Sequence, residues 1–120
     1  MPSPENPASR YADQLLALYR KTPGTCGHVR CADRRLAAAL RARGVPLETV
    51  QTALLLASAR RLFRPATATP LPPIGSLHYF LPVIDELLVS APDPTYLDHL
   101  RRRMAPLAPE LVTFPYHQLP

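Results

Sequence analysis

Three runs of arginine offer the most chemistry in this chain: Arg34, Arg35, Arg41 and Arg43; Arg60, Arg61 and Arg64; and Arg101, Arg102 and Arg103. A guanidinium presents a planar fork of donors that fits a phosphate better than an ammonium does, so the runs predict an anionic partner. Nucleic acid is favoured over a membrane surface, since no basic amphipathic helix with aromatic anchors accompanies them. DNA is the favoured form, with RNA open. If the helix ends that carry these arginines converge, they form one basic face whose affinity falls steeply with salt; the competing reading is an ordinary solvated surface. Tyr79-Phe80 adds two rings that could stack on unpaired bases, worth about 1–3 kcal/mol per base. Adjacent helix positions point roughly 100 degrees apart, which allows one ring in the core and one outside, and the plainer reading puts both inside.

Other constellations carry less. Cys26, His28 and Cys31 are zinc-type ligands, but Cys-x-His-x-x-Cys is not a zinc spacing and a fourth ligand would have to come from His78, His99 or His117. The expectation is no metal, no cofactor and two reduced thiols, because so short a loop gains little from a disulfide. Asp98 and His99 diverge as helix neighbours, Asp85 and Glu86 read as a solvated face, and no phosphate loop or nucleophile elbow is present. The chain is therefore read as a non-enzyme.

The elements that must hold these residues read as helices. Ser9 caps a first helix over residues 10–21, with Tyr11, Leu15, Leu18 and Tyr19 on one face and Pro23-Gly24 as its stop. A second helix starts between Arg30 and Asp33, buries Leu36, Ala37 and Leu40, and ends at Gly44. Pro46 and Glu48 suit the first turn of a third helix over residues 46–63. Its stretch Ala53 to Ala59 is apolar nearly all round, the pattern of a central buried helix. Pro65, Pro70, Pro72 and Pro73 make residues 65–75 a stiff connector. Ser76 caps a fourth helix running toward Ser90, with a kink or late start at Pro82, which lacks the amide for His78. Asp93-Pro94 opens a fifth over residues 94–104, with Tyr96, Leu97, Leu100 and Met104 inward.

The expected architecture is all-α: one compact bundle of about five helices over residues 9–104, after a mobile lead-in over residues 1–8 and before a Pro-rich, extended tail over residues 105–120. At 120 residues there is room for one ordinary domain. A formal charge of +5 agrees with an anionic partner. No apolar run approaches the roughly 20 residues of a membrane helix, and the start lacks the pattern of a secretory signal, so a cytoplasmic location without membrane contact is expected.

Within residues 34–88, Gly44-Val45-x-x-Glu48-x-Val50-x-x-Ala53-Leu54 precedes Tyr79-Phe80-x-x-x-Ile84-x-x-Leu87. This order resembles the C-terminal domain of the DnaD-like primosome and replication-initiation proteins, whose signature is Tyr-Tyr-x-x-x-Ile-x-x-Trp. Leu87 stands at the Trp position and Pro82 falls inside the motif. The resemblance implies a small helical DNA-binding or helicase-loader-type accessory, often of a mobile genetic element, with a larger replication or mobile-element protein as a candidate partner. Tyr79, Phe80 and Ile84 would be its motif positions. Two further readings stand beside it. One is a protein-interaction subunit using Phe114 and Tyr116 of the tail. The other is a helix-turn-helix regulator built on Leu36, Ala37, Leu40, Gly44, Thr49 and Val50, whose gap is about a turn too long and whose second helix is short of base-reading side chains.

Overall fold

The computed structural model describes residues 7–112. Six helices account for most of them: α1 (Pro7–Lys21), α2 (Cys31–Ala42), α3 (Leu47–Leu62), α4 (Leu81–Val89), α5 (Pro94–Met104) and α6 (Pro109–Val112). A 3-10 turn, Leu77–Phe80, leads directly into α4. Among the described residues there is no strand, only an isolated parallel bridge between Thr25 and Ile74. The all-α bundle is as expected.

The spine is α3. Every residue from Val50 to Ala59 is buried, with α1, α4, α5 and α6 packed around it. Fully burying a leucine stabilises by about 1.5–3 kcal/mol, and Leu54, Leu55 and Leu56 all lie within 3% of complete burial. Three of its buried polar side chains bond to backbone carbonyls. Thr52 Oγ1 donates to Glu48 O at 2.9 Å and Ser58 Oγ to Leu54 O at 2.6 Å, each one turn back along the helix. Gln51 Nε2 donates to Glu110 O at 3.3 Å and Leu111 O at 3.2 Å, tying α6 to the spine.

The turn between α2 and α3 is a Schellman motif. Gly44, at φ +76°, lets its amide reach Arg41 O at 3.0 Å while Val45 N reaches Leu40 O at 3.1 Å. Val45 and Leu40, the two residues such a motif brings together, are both buried. Tyr11 Oη then closes on Val45 O at 2.8 Å and holds α1 to the same corner.

Three local expectations are corrected and one is met. α1 begins at Pro7, so Ser9 sits inside the helix and is not its cap. The expected Ser76 cap and late start are met: Ser76 Oγ accepts His78 N, the 3-10 turn follows, and α4 begins only at Leu81 with Pro82 in its first turn, where no amide is needed. Tyr96 is not inward but 47% exposed. Within the tail, Pro109–Val112 form α6 with Leu111 buried, because Leu111 and Ala108 fill the end of the core. Phe114 and Tyr116 lie outside the described residues.

Candidate nucleic-acid interface

The C-terminal end of α3 gathers arginines from two helices. Arg60, Arg61 and Arg64 close α3 itself, and the Arg103 guanidinium from α5 lies 3.7 Å from the centre of the Phe63 ring. A ring face attracts a cation, so Phe63 seats Arg103 at this end. Tyr79 completes the group. It is 44% exposed, set edge-on against Phe80 at 5.2 Å, with Arg61 5.6 Å from its ring centre. Ala57, Arg60, Arg61, Arg64, Leu71, Tyr79 and Val83 line a cleft of about 300 Å³.

The arginines here are not equivalent. Arg60 pairs with Glu86 at 3.3 Å with both side chains about half exposed, an ion pair that salt screens readily. Arg61 Nη2 donates to Pro72 O at 2.7 Å and Nη1 meets Tyr79 Oη at 3.4 Å. Arg64 Nη1 donates to Thr69 O at 2.8 Å. Carbonyls and hydroxyls leave the positive charge in place, so Arg61 and Arg64 keep an unneutralised field over the cleft.

The other predicted arginines divide. Arg43 pairs with Asp85 at 3.5 Å, next to the Glu86 that Arg60 meets, so Asp85 and Glu86 lie on a solvated face, as expected, and carry surface ion pairs there. Arg101 pairs with Asp98 at 3.3 Å within α5. Arg34, Arg35, Arg41 and Arg102 are exposed and have no carboxylate partner among the described residues. No bond or ring contact ties Arg34, Arg35 or Arg41 to the α3 end. Arg41 acts on Tyr11 of α1, whose pKa burial raises and the Arg41 charge lowers in part.

Phe80 is excluded from ligand contact. It is fully buried, as is Ile84, and its ring packs edge-to-face on Tyr19 at 6.2 Å. Of the paired rings, Tyr79 alone reaches solvent. The groove-reading expectation for α3 likewise meets its burial: from Val50 to Ala59 the helix has no face to lay in a groove.

Asp33, which the arginine pattern did not single out, anchors the 3-10 turn that presents Tyr79. It is 1% exposed, accepts Arg30 N at 2.9 Å through Oδ2, and accepts Leu77 N at 2.9 Å and Ser76 Oγ at 3.3 Å through Oδ1. Burial pushes its pKa up, but the Arg30 and Leu77 amides, the Ser76 hydroxyl and the nearby His78 outweigh it, leaving the carboxyl below its ordinary value. Ser76 Oγ also lies 3.0 Å from His78 Nδ1. The serine stands between the acid and the imidazole, which is the wrong order for an activated nucleophile, where the histidine must be central. The legible signal was Arg30-x-x-Asp33, a helix start whose third residue reaches back to the cap amide.

Cys26 is half-buried and Cys31 exposed, both as free thiols. Among the described residues no three of His, Cys, Asp and Glu gather as a metal site. No helix there is long and apolar enough to cross a membrane. No protein-family model, curated protein or solved structure matches the chain.

Proposed function

We propose that this chain is a small, basic, non-enzymatic DNA-binding accessory protein of replication or a mobile genetic element, gripping the nucleic-acid backbone with the arginines at the end of α3. The observation that carries the reading is the cleft that Arg60, Arg61 and Arg64 line together with the half-exposed Tyr79, with Arg103 of α5 seated on Phe63 at the same end of α3. Phosphates would lie on the guanidinium groups, and one unpaired base would rest on Tyr79. The exposed arginines Arg34, Arg35, Arg41 and Arg102 would add a diffuse field that speeds encounter. The assignment to replication rests on the resemblance of Tyr79, Phe80 and Ile84 to the DnaD-like signature, of which Phe80 and Ile84 serve packing in this chain.

The test is a titration of labelled single-stranded DNA, duplex DNA and structured RNA at two salt concentrations. Salt-sensitive binding, weakened by Arg60→Ala/Arg61→Ala in a variant that still folds, is the expected result. No salt-sensitive binding to any probe would remove the reading.

A protein-interaction subunit has its own supporting observation. Val89 is 88% exposed and Leu88 44% at the end of α4, and Leu87, Ala91, Pro92 and Leu97 line a cleft of about 220 Å³ beside them. Association through that surface would be nearly indifferent to salt.

A further inference from the structure

We infer that the connector between α3 and the 3-10 turn is a latch: in the free protein its backbone carbonyls occupy the guanidinium groups of Arg61 and Arg64, and a phosphate group binds there by displacing them. The inference rests on the nucleic-acid reading above and adds a conformational step to it.

Arg61 is covered on both edges that could grip a phosphate with two donors. Its Nη1 and Nη2 face Tyr79 Oη and Pro72 O. Its Nε edge lies against Gly24, where a Cβ would stand 3.2 Å from Nε. Arg64 is held in the same way by Thr69 O. The connector therefore takes Nη2 of Arg61 and Nη1 of Arg64, donors that a bidentate phosphate needs.

The two clefts at this end, of about 270 and 300 Å³, share Arg61, Arg64 and Leu71. Leu71 is 44% exposed and lies between the two carbonyl contacts, so it forms the wall between the clefts. Lifting it would merge them into one channel floored by arginine.

The connector is built to let go. Its ends are fixed by the cap of α3 at Phe63 and by Ile74, which is buried and bonds Gly24 O at 2.7 Å. Between them, its bonds among the described residues are the two arginine contacts and one turn, Ala68 N to Pro65 O. Pro65, Pro70, Pro72 and Pro73 have no amide to leave unpaired when the segment moves. A phosphate adds an opposite charge and a bidentate geometry that a single neutral carbonyl lacks, so the exchange favours the ligand.

The experiment measures elastase cleavage at Ala66 and Ala68 in the full chain, with and without short oligothymidylate, alongside the affinity of Pro70→Gly. Glycine raises the entropy of the open connector and leaves the Thr69 and Pro72 carbonyls in place. Ligand should speed cleavage several-fold, and Pro70→Gly should bind about two- to five-fold tighter than wild type. Unchanged cleavage in the bound state, or unchanged or weaker affinity of Pro70→Gly, overturns the latch and leaves the nucleic-acid reading standing. No salt-sensitive binding at all overturns both.

Discussion

Replacing Asp33 should be among the most damaging single changes at a polar position in this fold, because one carboxylate holds the start of α2 and the turn that carries Tyr79. Asp33→Ala removes the acceptor for Arg30 N, at about 0.5–2 kcal/mol for a lost helix cap. It also leaves the buried Leu77 amide without a partner, at about 1–3 kcal/mol. Together these predict a loss of about 1.5–5 kcal/mol, a large part of the roughly 5–15 kcal/mol that holds a domain of this kind. Urea unfolding followed by circular dichroism should show the midpoint falling by about 1–2 M. Asp33→Asn keeps an acceptor for Leu77 N but turns a donor toward Arg30 N, so about 2 kcal/mol is expected. The pH dependence supplies a second check. The folded pKa is depressed, so the native state prefers the ionised form. That stabilisation is complete above the unfolded value of about 3.9 and vanishes as pH falls through the folded one. The gap between wild type and Asp33→Asn should therefore close in acid. A loss under about 0.5 kcal/mol for Asp33→Ala, or a gap that stays constant down to about pH 2, would refute the reasoning.

Three other changes follow from the same geometry. Tyr19 is fully buried and its Oη has no hydrogen-bond partner among the described residues, so Tyr19→Phe should be neutral or stabilise by about 1 kcal/mol in the same unfolding assay. Burial first, then Asp33 and Cys26, push the Tyr19 phenol up to about 12; its preference for the neutral form should support the fold below about pH 10 and be lost as pH rises through the folded value, which ultraviolet titration would follow. Ile84→Ala empties a fully buried site against α3 and should cost about 2–5 kcal/mol. Gly24→Ala forces a side chain onto φ +92° and against Arg61 Nε, and should cost about 1–2 kcal/mol while weakening the Arg61 contacts, visible by NMR at the Arg61 side chain.

Helix order and the buried character of α3 were legible because apolar periodicity and capping residues are local signals. Asp93-Pro94 opens α5 and Gly44 closes α2 by chemistry that each carries in its own residues. What the periodicity could not carry was long-range pairing. Nothing in the order of residues says that Arg61 spends its donors on Pro72 O and Tyr79 Oη, or that Arg43 and Arg60 meet adjacent carboxylates on α4. Tyr96 shows the limit of a helical wheel: it shares a face with inward residues by spacing, yet it stands 47% exposed. Phe80 shows the converse, since the tight 3-10 turn rolls it wholly into the core and leaves Tyr79 outside.

The central claim, that the end of α3 holds nucleic-acid phosphate, is tested most directly by the salt dependence of binding to single-stranded DNA. Four arginines engaged there predict that log K falls against log salt with a slope of about −3, and Arg60→Gln/Arg64→Gln should bring it to about −1.5. A wild-type slope near zero, or a slope unchanged in the double variant, would contradict the account.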